Sequence, residues 1–169
     1  DTANTLNGFA KYMVASQDVE PANGWQYTAW VNALGANTAI SPEALGKTIC
    51  DTYLEGCEEV QTAGNATLSL IDLAKIPFVN LAYNALGLEA VSLAMDDDSF
   101  YAAYGRQAKA SENYVNSRSE GYTNMVDLGH MARQSTGLLQ TAGDVLNALE
   151  DCVLYRVSGP YRAESTGLS

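Results

Sequence analysis

The stretch Thr67-Leu68-Ser69-Leu70-Ile71 limits the fold more than any other part of this chain. It carries no charge, is rich in large aliphatic and β-branched side chains, and ends at an acid, so it reads as a buried strand. Asp72 follows at once and is placed to cap a helix running through Ile76, Val79, Tyr83 and Leu86. Strand, cap and helix in succession predict one βα step of a layered sheet.

The flanking segments extend that pattern. Asp1 to Phe9 has helical composition, with Ala3, Leu6 and Ala10 as contacts and Gly8 as a stop, and Lys11 to Ser16 reads as a short strand. Gln17 to Ser41 reads as a long loop holding both tryptophans. Loops of that length are functional or disordered, and Trp25, Tyr27 and Trp30 argue against disorder. Ser41-Pro42-Glu43 starts a helix, with Ser41 as cap, Pro42 in the first turn and Glu43 facing the helix dipole; Leu45, Ile49, Cys50, Tyr53 and Cys57 form its apolar face. Further helices are expected over Ser99–Asn113, Val126–Arg133 and Asp144–Arg156, the last ending at Ser158-Gly159-Pro160.

This reading gives about five or six helices and two strands, too few strands for a stable sheet. The expected architecture is therefore the later portion of an α/β domain whose other strands lie elsewhere. An α+β domain with less evident strands fits the same pattern, and a self-sufficient helical module is a third option.

Charge narrows the partners. Nine basic residues against twenty acidic ones give a formal net charge of -11, which repels phosphate backbones and anionic lipid surfaces and weakly favours a cationic ligand. The sequence has no uninterrupted apolar run of membrane-spanning length and no basic start followed by an apolar stretch, so neither a span nor a signal peptide is expected. Cys50 and Cys57 lie one heptad apart on one helix, beyond disulfide reach of each other, and with Cys152 they read as buried structural thiols. His130 is the single histidine, and it reads as a partner for the Asp127 carboxylate rather than as half of a cysteine–histidine dyad. Asp96-Asp97-Asp98 is better explained by capping of the next helix than by calcium. The Asn65-Ala66-Thr67 triplet carries no functional weight, and no phosphate-cradling loop or zinc spacing occurs.

The segment Ala15 to Tyr27, ASQDVEPANGWQY, resembles the substrate-binding loop that follows the catalytic cysteine in clostripain-type cysteine peptidases. Asp1–Ala10 would be the helix after the nucleophile, Lys11–Ser16 the next strand, and Ser16 to Trp25 the loop. Leu68 to Leu73 is similar to the family's following strand with its capped helix, and Ser165-Thr166-Gly167-Leu168-Ser169 to the start of a later strand. The resemblance implies a caspase-like layered sheet with flanking helices. Residues 1–169 would then be the later part of one such domain, cut short at both ends.

The same resemblance implies a secreted or cell-envelope bacterial cysteine endopeptidase that cuts after Arg or Lys and processes itself. Its catalytic Cys/His dyad would lie outside this chain, so no catalytic or metal-ligating residue is assigned within it. The alternative is a non-catalytic peptide- or protein-binding member of the same fold. No cofactor is required by the sequence, and calcium is a candidate only through the family. Expected partners are a peptide or protein substrate with basic residues and the remaining portion of the same peptidase. A pocket for Arg or Lys needs a carboxylate, and Asp18 and Glu20 are the two candidates, against a bland reading as solvated loop acids. Trp25 would wall the substrate's apolar stem, or simply anchor the loop, with Gly24 letting backbone approach. Ser16 and Gln17 would offer backbone groups to an extended peptide, or merely end a strand.

Overall fold

In the computed structural model, which describes residues 2–115 and 125–169, the expected buried strand is the middle of a three-stranded antiparallel sheet. In chain order the elements are α1 (Thr2–Leu6), β1 (Tyr12–Ala15), α2 (Tyr27–Ala36), α3 (Pro42–Glu59), β2 (Thr67–Asp72), α4 (Ile76–Asp96) and α5 (Asp98–Ala110). Then come β3 (Asn113–Tyr114), β4 (Met125–Val126), α6 (Leu128–Ser135), α7 (Ala142–Cys152) and β5 (Val153–Ser158). Short 3₁₀ turns lie at Ala63–Asn65, Leu73–Lys75 and Pro160–Arg162. The main sheet runs β1-β2-β5, with Met13 opposite Ile71, Ala15 opposite Ser69 and Thr67 opposite Ser158. A small β3–β4 ribbon stands apart from it.

Alternation along β2 builds two cores. Leu68 and Leu70 face α3 and pack with Cys50, Tyr53 and Cys57, while Ile71 points the other way into a cluster with Leu73, Ile76, Val79, Val145 and Leu149. The result is three layers: α3, the sheet, and α4 with α7. Cys50 and Cys57 therefore sit in one core and Cys152 in the other, and all three are buried free thiols, as their apolar setting suggested. Burial, helped by Asp51, pushes the Cys50 thiol up to about 12; burial, helped by Asp72, pushes Cys152 up to about 11.

Several expectations need correction. The segment read as one long loop contains α2, a helix with no buried residue, so no apolar stripe marks it in the sequence. The helix expected to run to Arg156 stops at Cys152, and the chain continues as β5. Val145, Leu149, Cys152 and Val153 do keep helical spacing, but the Val-Leu-Tyr-Arg-Val stretch pairs with the open side of β2 and that pairing prevails. Ser165 to Ser169 forms no strand; Ser165, Thr166 and Gly167 are buried in a loop. Asp72 caps the Leu73–Lys75 turn, through Ala74 N, rather than α4 directly. The first helix is shorter than expected, and Asp1 lies outside the described residues.

The helical stretch Leu73–Asp96 has 24 residues and contains an 18-residue window of mean hydropathy 1.2, long and apolar enough by length and composition to cross a membrane despite lacking an unbroken apolar run. Its interior contacts are those of a layer helix. Val79, Leu86 and Ala90 enter the core, and Glu89 accepts hydrogen bonds from Gln140 N (2.8 Å), Thr141 N (2.9 Å) and Thr141 Oγ1 (2.6 Å) at the start of α7. Phe78, Leu81, Leu88 and Met95 stay exposed on its outer side. In the Asp96-Asp97-Asp98 run, Asp97 caps α5 through Ser99 N (2.7 Å). No group of three or more metal-ligating side chains comes together among the described residues.

Candidate functional site

The loop leaving β1 is built in two dissimilar halves. In the first, Ser16 Oγ donates to the Asp18 carbonyl (2.8 Å) and shares a hydrogen bond with Thr67 Oγ1 (2.9 Å). Thr67 Oγ1 also accepts from Gln17 N (3.2 Å) and Asp18 N (3.3 Å). Of the backbone groups expected to pair with an extended peptide, those of Ser16 and Gln17, the Gln17 N–H is thus already engaged within the chain.

Gln17 is buried, and its amide reads two distant segments. Its Nε2 donates to Asp127 Oδ2 (2.9 Å), while its Oε1 accepts from Gly167 N (2.9 Å) and from the Ser165 hydroxyl. Asp127, with no exposed surface, is a hub. It caps α6 by accepting from His130 N (2.7 Å), and it also accepts from Tyr114 OH (2.7 Å), Thr166 N (2.7 Å) and Thr166 Oγ1 (2.5 Å). Burial, and then the Asp127 charge, raise the Tyr114 hydroxyl above its usual range.

The expected pairing of the His130 ring with Asp127 does not occur. The bond runs through the His130 backbone, because a carboxylate preceding a helix is placed to accept from N–H groups of its first turn. The imidazole Nδ1 accepts from Glu112 N (3.1 Å), and Nε2 lies 3.0 Å from Gln134 Nε2. The thiols have other neighbours: Cys57 accepts from Asn23, and Cys152 donates to the Asp72 carbonyl.

Asp18 is enclosed as well. Its Oδ1 accepts from Val19 N (2.8 Å) and Val115 N (3.0 Å), and its Oδ2 pairs with Arg162 Nη2. Arg162 in turn donates to Glu112 Oε1 (2.6 Å) and to the Asn113 carbonyl (3.1 Å), and its guanidinium lies 5.3 Å from the Tyr114 ring centre. Burial opposes the guanidinium charge, but hydrogen bonding to Glu112 and the charge of Asp18 outweigh it, so the Arg162 pKa is raised. The turn bearing Arg162 is fixed by Gly159, whose N–H bonds the Ala66 carbonyl (2.8 Å); a Cβ there would stand 1.6 Å from the Ala63 carbonyl oxygen.

The second half of the loop is open. Glu20 is exposed, and its Oε2 accepts from Trp25 Nε1 (2.8 Å). Gly24 has φ +69°, a left-handed conformation that glycine adopts without strain, and its N–H closes a turn on the Pro21 carbonyl (3.2 Å). Trp25, half-buried, meets the Tyr53 ring edge-on at 6.4 Å and packs on the α3 core. It anchors this half to α3, while Asn23 accepts from Thr62 Oγ1 (2.9 Å).

All six predicted residues thus lie on one continuous loop, but they divide into Ser16, Gln17 and Asp18, tied inward to distant segments, and Gly24 and Trp25, seated on a turn and on α3, with Glu20 exposed beside them. Sequence reasoning missed Thr67, Asp127, Thr166 and Arg162 as the inner partners. Only Asp127 had a readable signal, an acid immediately before a helix; it reads as a partner of His130, which it is through the backbone N–H and not through the ring. Beside this loop an open cleft of about 920 Å³ runs along β1, lined by Met13, Ala15, Gln17, Ile71, Val79 and Leu168. β1 is an edge strand, paired on one side alone within the described sheet.

The layered sheet with its loop at the end of an edge strand is a caspase-like α/β arrangement. The chain belongs to the clostripain family, whose sequence pattern matches residues 2–166. No curated protein sequence matches it. Among solved structures it is similar to a B. fragilis cysteine protease, with 16% identity and a TM-score of 0.62 over 96% of this chain and 65% of that one. It is also similar to an inactive zymogen C11 protease from Parabacteroides distasonis, with 16% identity and a TM-score of 0.62 over 98% of this chain and 46% of that one. The chain therefore spans less than two thirds of the length of either structure.

Proposed function

We propose that this chain supplies the substrate loop and part of the helical layers of a cysteine endopeptidase that cleaves after Arg or Lys. The observation that carries the reading is the placement of a loop with two carboxylates, Asp18 and Glu20, at the end of edge strand β1, next to an apolar cleft. In this reading the nucleophile and its histidine belong to the remaining portion of the peptidase. That portion adds a strand to the free side of β1, which satisfies the edge and covers Met13 and Ala15. The peptide then lies across the loop, with its cationic side chain drawn to a carboxylate.

The complete protein is to be incubated in reducing buffer, with and without calcium, with peptides bearing Arg, Lys or a neutral residue at the cleavage position. Cleavage after Arg and Lys, with neutral peptides slower by about tenfold or more, is expected from one charge-assisted contact. Equal rates would overturn the specificity. No turnover would favour a non-catalytic peptide-binding role.

A further inference from the structure

We infer that Arg162 is a positioning residue that fills an arginine site within the chain itself, so that Asp18 holds the loop and Glu20 is the acid left to meet the substrate cation. This rests on the peptidase reading above and assigns roles within it.

The surroundings of Arg162 make a guanidinium site that engages both terminal nitrogens and leaves the buried Nε without a partner among the described residues. Two carboxylates, Asp18 and Glu112, one carbonyl, Asn113 O, and one aromatic ring, Tyr114, surround it, and 11% of its side chain is exposed. Carboxylates in pairs and an aromatic face are the groups that recognise arginine in general. Here they are occupied from within. Asp18 Oδ1 is taken up by the Val19 and Val115 N–H groups and Oδ2 by Arg162, and 8% of the Asp18 side chain is exposed.

Displacing Arg162 with a substrate arginine is unfavourable on two counts. The leaving guanidinium would give up its pairs with Asp18 and Glu112, and the incoming one would only replace them, so pairing gains nothing. It is also tethered: the 3₁₀ turn Pro160–Arg162 is pinned at Gly159, so the internal arginine competes at an effective concentration of about millimolar or above.

Glu20 differs on each point. It is exposed, its one hydrogen-bond partner is the neighbouring Trp25 indole, and its Oε1 has no partner among the described residues. The Trp25 N–H fixes the carboxylate over the outward face of the loop without neutralising it. A carboxylate held in place yet still charged and accessible suits a cationic side chain arriving from solvent.

The roles separate in the intact peptidase through kcat/KM on matched Arg, Lys and neutral peptides. Glu20→Gln is expected to lower turnover of Arg and Lys peptides by about 10- to 100-fold and leave neutral ones unchanged. Asp18→Asn and Arg162→Ala are expected to lower all three in parallel, with the basic-to-neutral ratio unchanged. Arg162→Ala activity is expected to recover on adding methylguanidinium, a response that general loosening of the loop would not give. Arg162→Lys, which keeps the charge but loses the fork, should fall between if Arg162→Ala fails to fold. A changed ratio in Asp18→Asn with none in Glu20→Gln would overturn the assignment. So would tighter binding of Arg peptides by Arg162→Ala, which would make Arg162 a competitor. Methylguanidinium rescue with no basic preference in the unmodified enzyme would leave the positioning role standing and remove the specificity reading.

Discussion

Gln17 and Glu20 stand three residues apart on one loop and live under different physics. Gln17, with Asp18 beside it, is tied to residues more than a hundred positions away: Asp127 through the Gln17 amide, and Arg162 through the Asp18 carboxylate. Glu20 and Trp25 bond each other across a turn. The inner half therefore depends on the whole domain being assembled, whereas the outer half depends on one turn and one aromatic contact. Rigidity at one end and accessibility at the other is what a recognition loop requires, because a binding group gains from being held but must still be reached.

The comparison breaks first at Asp127. Asp127→Ala leaves the Gln17 amide, the Tyr114 hydroxyl and the Thr166 and His130 N–H groups without their acceptor, and should cost more than about 3 kcal/mol in a urea titration of the intact protein. A loss as small as that of a surface change would mean the inner half is not anchored there. Thr67→Val isolates the hydroxyl at nearly constant volume; with Gln17 N unsatisfied and Asp18 N left with Ser16 Oγ alone, about 2 kcal/mol is expected by the same measurement.

Glu89 sharpens the contrast by asking whether partner number or burial sets a carboxylate's worth. It is half-buried yet holds three donors, and hydrogen bonding from the Thr141 hydroxyl, then from Gln140 and Thr141 N–H, keeps its pKa below the ordinary range. A carboxyl lowered in the folded state stabilises the fold above its unfolded pKa of about 4.3, and that contribution disappears as pH falls through the folded value. Glu89→Gln should cost about 1 kcal/mol at pH 7 and flatten the decline in stability on the acid side, seen by thermal unfolding across pH. At the outer half, Trp25→Phe keeps a ring on Tyr53 but drops the bond to Glu20, for about 0.5 to 1 kcal/mol. Glu20→Gln should change stability by less than about 0.5 kcal/mol, its effect appearing in substrate choice alone.

Legibility in the sequence follows the same division. The β2 strand, the Ser41-capped α3 and the Asp97 cap of α5 rest on neighbours within a few residues, and local pattern finds them. β5 escapes because Val153 continues the helical spacing of Val145 and Leu149 while its strand identity comes from pairing with β2, about eighty residues earlier. α2 escapes because it buries nothing. At the site, the six loop residues are named through the family resemblance, and the Trp25–Glu20 bond is the one local contact among them that the Glu-Pro-Ala-Asn-Gly-Trp run could suggest. The ties of Asp18 to Arg162 and of Gln17 to Asp127 exist only once the fold has closed, so no spacing announces them. The resemblance to the clostripain family located the loop, and the structure divides its two acids.

Gly159 extends the reach of the site to a position with no functional group. Its backbone passes so close to Ala63 that a methyl group would force the two turns apart, and Arg162 stands at the end of the turn that would move. In a saturation screen scored by turnover, Gly159 would sort with the residues proposed for recognition and be mistaken for one of them. Only abundance or melting data on the same variants would reveal it as a spacer whose influence on the loop is transmitted entirely by shape.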